Sequence, residues 1–173
     1  MPKRAGPPAE GSGRDADPVS ISPRERLAAA YRATRYRVCD SPLGAFLIRC
    51  GERSPELATL LAAEPVGQWA FVTAENPGSV PLGPAANAER MRQLRAAVEA
   101  AGYRYHPGRG EGPGGDWPAE ESLLIIGIPE AEAVALGRRF GQLAILAGGR
   151  DEPARLVWLD SWSRGVTSGD AGT

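Results

Sequence analysis

Histidine and cysteine are scarce in this chain: its 173 residues include one histidine, His106, and two cysteines, Cys39 and Cys50. A zinc site draws its four ligands mostly from these residue types, so neither a metal nor a cofactor is expected. A single histidine also leaves no basis for a nucleophile–base–orienter triad. Long apolar runs are missing. The longest, Leu123–Ile126 extended across Gly127 to Ile128, is far short of the roughly 20 residues that span a bilayer. Residues 1–20 contain basic side chains but no apolar segment, so no export signal is read. A cytoplasmic location with no membrane partner is expected. Neither sign of charge dominates: Lys+Arg 20 against Asp+Glu 21 leaves −1, which argues against bulk electrostatic binding of nucleic acid.

Glycine and proline, in contrast, are in excess, at 22 and 16 residues where a usual combined share is roughly 12%. The excess is concentrated in residues 1–20, 76–84, 107–118 and 161–173, and the rest has an ordinary globular content. The expected organisation is a disordered tail over 1–20, one globular domain over 21–160 and a C-terminal tail over 161–173, with flexible loops at 76–84 and 107–118.

Within the domain, Ser22-Pro23-Arg24-Glu25 is a capping box that opens a helix, with Leu27, Ala30, Tyr31 and Thr34 on one stripe. Arg35–Cys39 and Ala45–Arg49 read as a hairpin around Asp40–Gly44. Ser54-Pro55-Glu56 starts a short helix, and Gln68–Thr73 is a strand. Pro84 begins the longest helix, which Gly102 stops. Tyr103–His106 is a short strand and Glu121–Ile128 a central one buried on both faces. A helix over Pro129–Phe140 and strands at Gln142–Ala147 and Arg155–Leu159 complete the chain. Hairpins interleaved with helices predict an α+β fold, with a mixed or antiparallel sheet of about five to seven strands and about four packed helices.

Several features are candidates for chemistry. Gly110-Glu111-Gly112-Pro113-Gly114-Gly115 has the spacing of a dinucleotide loop, but a strand follows instead of a helix, so a mobile surface loop is expected. Cys39 and Cys50 sit at the two ends of the hairpin and are expected to be free, buried thiols. Arg24, Arg26, Arg32, Arg35 and Arg37 make residues 22–37 basic, either as a solvated face or as a patch for a partner. Asn87 shares a helix face with Met91, Leu94 and Val98 and therefore points inward, either clamping the backbone of the Thr73–Pro77 loop or lining a ligand site. Glu120 and Ser122 share one face at the entry to the central strand, near Trp117, and Gln142 is similarly placed after Phe140-Gly141.

Five short motifs in order resemble a bacterial family of uncharacterised proteins, the domain of unknown function three-two-nine-three. They are Thr73-Ala74-x-Asn76-Pro77; Asn87 with Leu94; Gly102-Tyr103-Arg104-Tyr105; Trp117-x-x-Glu120-x-Ser122; and Phe140-Gly141-Gln142-x-Ala144. The resemblance covers roughly Ala30 to Leu159. Glu75 departs from the pattern, standing where a small or aromatic residue is expected. The resemblance implies a domain and no chemistry, and it implies that Thr73, Asn76, Asn87, Trp117, Glu120, Ser122 and Gln142 matter together.

The expected function is binding of a small polar ligand, nucleotide-like or amide-bearing. Its pocket would lie between the Thr73–Pro77 loop, the start of the Asn87 helix and Trp117–Ser122, covered by the 107–118 loop. Thr73, Asn76, Asn87, Arg90, Trp117, Ser122 and Gln142 are the binding residues. Were the domain an enzyme, Glu120 would be its general base, assisted by His106 or Glu75. The alternative is a non-enzymatic interaction module that meets a protein or nucleic-acid partner through Arg24, Arg32 and Arg35.

Overall fold

The structure is a computed structural model that describes residues 21–115 and 117–159. Both expected tails lie outside the described residues. The elements follow the expected order: α1 (Pro23–Ala33), β1 (Arg35–Val38), β2 (Phe46–Ile48), α2 (Pro55–Leu60), β3 (Gln68–Val72), α3 (Pro84–Ala100), β4 (Arg104–Glu111), β5 (Glu120–Ile126), α4 (Glu130–Arg139), β6 (Ala144–Gly149) and β7 (Arg155–Trp158). Short 3-10 turns at Pro77–Ser79 and Pro113–Gly115 interrupt the connections. The fold is α+β. Among the described residues, seven strands form one sheet in the order β2-β1-β4-β5-β3-β6-β7, and every pairing is antiparallel.

Local chemistry sets the helix ends. Ser22 accepts from the Glu25 N–H while Glu25 accepts from the Ser22 N–H, the reciprocal pair that satisfies two free donors at the start of α1. Ser54 caps α2 on one side only, accepting from the Leu57 N–H. Gly102 ends α3 at φ +79°, a conformation that costs glycine little.

β5 occupies the middle of the sheet, so its side chains divide between two cores. Leu123 and Ile125 pack with Val72, Met91, Leu94, Val98, Ala133 and Ile145 beneath α3 and α4. Leu124 and Ile126 pack with Trp69, Phe71, Leu146, Val38, Ile48, Leu57 and Leu61 on the opposite, concave face. Burying each of these large side chains contributes roughly 1.5–3 kcal/mol.

The structure corrects three expectations. The strand starting near Tyr103 does not stop at His106 but continues to Glu111, so only residues beyond Glu111 form the loop that precedes Trp117. Pro107 is tolerated because its carbonyl bonds to the Cys39 N–H where the pairing with β1 ends, so the proline lacks only a terminal ladder donor. The glycine-rich segment is therefore not simply a surface loop: Gly108 and Gly110 lie within a strand that has neighbours on both sides. The cysteines are free, but Cys39 is exposed and Cys50 half-buried, not buried as expected. Because Val38 pairs with Phe46 and Tyr36 with Ile48, Cys39 lies at the closed end of the hairpin and Cys50 beyond its open end.

Candidate functional site

The concave face is not filled along its whole length. Where Tyr36, Gly110 and Glu120 lie side by side across β1, β4 and β5, the central position has no side chain. The neighbouring positions facing this space are also small: Ser122 on β5, Thr73 just past β3 and Ala144 at the start of β6. The space left above them is a cavity of about 280 Å³, just under the usual range for small-molecule sites, roughly 300–1,000 Å³.

Its roof is α1. Leu27, Ala30, Tyr31 and Thr34, the stripe that the helical spacing marks as buried, all face this cavity. That explains the composition of the stripe. Only Ala28 of α1 is fully buried, because the cavity side meets space rather than a core. The helix is held at its C-terminal half. The Tyr31 hydroxyl lies 2.7 Å from Ser79 Oγ, Tyr36 donates to the Tyr31 carbonyl at 2.8 Å, and the Tyr31 and Trp158 rings lie 5.9 Å apart. Arg24 stacks over Trp158 at 5.0 Å. Gly112, Pro113 and Trp117 contribute the rim, so the glycine-rich segment shares in covering the site, and α1 covers the rest.

The two ends of the cavity differ in chemistry. Leu27, Tyr36, Phe71, Leu146 and Leu156 form apolar walls, with Tyr36 edge-on to Phe71. Asn76, Ser79, Trp117, Glu120, Ser122 and Gln142 form the polar end. Glu120 is its centre. One carboxylate oxygen, Oε1, accepts from Asn76 Nδ2 at 2.7 Å and from Trp117 Nε1 at 3.0 Å. The other, Oε2, accepts no side-chain or backbone donor among the described residues, and no ion pair reaches Glu120.

Asn76 is fixed from behind. It adopts the left-handed conformation at φ +46°, which asparagine tolerates better than most residues. Its N–H donates to Asn87 Oδ1 at 3.1 Å, and its Oδ1 accepts from Asn87 Nδ2 at 2.9 Å and from the Leu82 N–H at 2.8 Å. Arg90 holds the same turn, bonding the Ala74 carbonyl at 2.6 Å and also the Phe140 carbonyl. The Thr73 hydroxyl donates to the Glu121 carbonyl at 2.6 Å and accepts from the Glu75 N–H at 3.0 Å. Gln142 Nε2 donates to the Glu75 carbonyl at 2.9 Å.

Of the sequence-derived candidates, Thr73, Asn76, Trp117, Glu120, Ser122 and Gln142 thus come together on one cavity. Asn87 and Arg90 do not line it; they form the clamp behind Asn76. His106 is on the same strand as Gly110 but four residues away, about 13 Å along β4. Burial and the Arg104 guanidinium lower its pKa there, and Asp40 partly opposes them. Glu75 bonds Thr73 and Gln142 through its backbone, and it is not part of the cavity lining. Burial and the nearby Glu120 raise its carboxyl pKa, with Arg109 opposing. Sequence reasoning missed Tyr36, Phe71, Ser79, Gly110 and the roofing role of α1. A signal was present in the small residues Gly110, Ser122 and Ala144 at positions that otherwise face a core.

The arginines of the first helix and strand are partly committed. Arg24 lies on Trp158, and Arg35 and Arg37 pair with Glu111 at 3.4 and 3.2 Å. Arg32 is exposed and has no side-chain partner among the described residues. No group of three or more His, Cys, Asp or Glu able to hold a metal occurs among the described residues, and no helix among them is long and apolar enough to cross a membrane.

Fold and site define a class: an antiparallel α+β domain whose sheet leaves a small, half-apolar cavity on its concave face. Residues 72–145 match the family described as a protein of unknown function (DUF3293), so the chain resembles that family over a span that holds all five motifs but is narrower than the expected Ala30 to Leu159. The matched residues carry the polar end of the cavity and the Asn87 clamp; α1, Tyr36 and Phe71 lie before them. No curated protein and no solved structure matches the chain.

Proposed function

We propose that this domain binds a small amphipathic molecule, with its apolar body under α1 and its polar head at Glu120, Ser122 and Gln142. The observation that supports this reading is the unfilled row of small residues on an otherwise packed sheet, ending at a carboxylate held by two neutral donors. A well-packed interior seldom leaves space of this size without use. The reading narrows the expected ligand. No lysine or arginine lines the cavity among the described residues, and Glu120 repels anions, so the phosphates of a nucleotide are disfavoured while an amide or amine head suits the site.

A ligand screen by thermal shift and NMR tests this reading, with Gly110→Leu as a blocked control. Gly110 has open space above it, its nearest neighbour to an added Cβ being Thr34 Cγ2 at 3.8 Å, so a leucine there extends into the cavity. Saturable binding of small amphipathic molecules that the plug abolishes supports the reading. An inert wild type, or equal binding by the plugged variant, counts against it.

A further inference from the structure

The composition of the cavity wall carries the ligand class further. The chain is poor in aromatic residues, at 6% of its length. Four of its aromatic side chains, Tyr31, Tyr36, Phe71 and Trp117, nevertheless line this one small cavity. Glu120 is the charged side chain in the lining, no cationic group neutralises it, and its Oε2 has no donor among the described residues. Its bound oxygen is held by an amide and an indole, both neutral. A carboxylate in a partly enclosed, mainly apolar space interacts more strongly with an opposite charge than it would in water. Aromatic rings attract cations through their electron-rich faces, and recognition of substituted ammonium groups is a known use of aromatic-lined sites; here four rings share the lining with this carboxylate.

We infer that the head group this cavity selects is an organic cation: an alkylammonium or methylated ammonium carried on a short apolar body. The inference rests on the proposed binding function and adds the sign of the ligand's charge. The division of labour follows from the geometry. Glu120 supplies the counter-charge, Asn76 and Trp117 fix its orientation, and the tyrosines and Phe71 provide a low-dielectric surround. Burial raises the hydroxyl pKa values of Tyr31 and Tyr36, with Glu120 adding to the effect, so both remain neutral at physiological pH. The tyrosine hydroxyls therefore add no negative charge, and Glu120 is the carboxylate in the lining; Glu75, near enough to raise the local negative potential, lies outside it.

The test compares two molecules of nearly the same shape by calorimetry on the full chain: choline and its uncharged carbon isostere, 3,3-dimethylbutan-1-ol. The expected result is that choline binds tighter by about tenfold or more, the size of a desolvated cation–π and ion-pair preference. Glu120→Gln, which retains an acceptor for Asn76 and Trp117, is expected to bring the two affinities together. Trp117→Leu, at a position 37% exposed, is expected to weaken choline more than the alcohol. Should Glu120→Gln fail to fold, the wild-type ratio and Trp117→Leu decide. Equal affinities, or tighter binding of the alcohol, overturn the charge inference and leave the binding function standing. Binding of neither, with none from the wider amphipathic screen, overturns both.

Discussion

The two faces of the sheet are built from the same strands and end in opposite states. Beneath α3 and α4, alternate residues of β3, β5 and β6 present Val72, Leu123, Ile125 and Ile145, and Met91, Leu94, Val98 and Ala133 of the helices pack onto them. On the concave face the other alternate residues begin the same way, with Trp69, Phe71, Leu124 and Leu146, and then give out into Gly110, Ser122, Thr73 and Ala144 beneath α1. One face is a core. The other is a core over half its length and a site over the rest. Since period-2 alternation assigns residues to faces, a change in side-chain size along one face suffices to convert packing into a cavity.

The largest expected effect lies on the filled face. Leu94→Ala, at a fully buried position of α3, is expected to cost about 2–5 kcal/mol in denaturant unfolding. A cost below about 1 kcal/mol would mean this face is not the tight core described. The clamp between the faces comes next. Asn87→Leu removes the acceptor of the Asn76 N–H and one donor to Asn76 Oδ1, and is expected to cost about 1–3 kcal/mol. It should also weaken ligand binding, because Asn76 then holds Glu120 less firmly.

Two glycines on one strand sharpen the comparison further. A Cβ on Gly108 falls 2.6 Å from the Phe71 ring and 2.9 Å from the Arg37 carbonyl, so Gly108→Ala is expected to destabilise by about 1–3 kcal/mol. Gly110→Ala, two residues along and over the cavity, is expected to be neutral or to stabilise by up to about 1 kcal/mol. Equal melting-temperature losses for the two would contradict the boundary drawn between packed and open halves of this face.

The smallest effect concerns Glu75, whose folded-state pKa is raised chiefly by burial. A carboxyl with a raised folded pKa binds its proton more tightly when folded, so stability falls as pH rises from the unfolded value through the folded one. Glu75→Gln is therefore expected to raise the melting temperature slightly at pH 7 and to match wild type below about pH 4. A benefit confined to acid pH would reverse the assignment.

Much of this arrangement is legible in the sequence because its signals are local. Ser22 and Ser54 mark helix starts, Gly102 marks a helix end, and the apolar run Leu123–Ile126 marks the central strand. Thr73, Asn76, Trp117, Glu120, Ser122 and Gln142 are grouped by the family resemblance, and most of them read as strand ends or helix starts. Long-range facts were not legible. The continuation of β4 through Pro107 depends on pairing with β5 and on Cys39 just past β1, and local turn chemistry argues against it. The distance between His106 and the site follows from strand register, which puts it opposite Leu124 while Gly110 lies opposite Glu120. The stripe on α1 reads as buried, but it lines the cavity with Ala30 exposed and Leu27, Tyr31 and Thr34 half-buried, because periodicity does not tell a cavity from a core.

The most direct test of the account is an amide and indole chemical-shift map recorded by NMR while choline, and then 3,3-dimethylbutan-1-ol, is added to the full chain. The account predicts saturable shifts at Gly110, Gly112, Ser122, Gln142 and the Trp117 indole, with Leu94, Val98 and Ala133 on the filled face unmoved. Shifts centred on the α3 and α4 side, or none with either molecule, would contradict it.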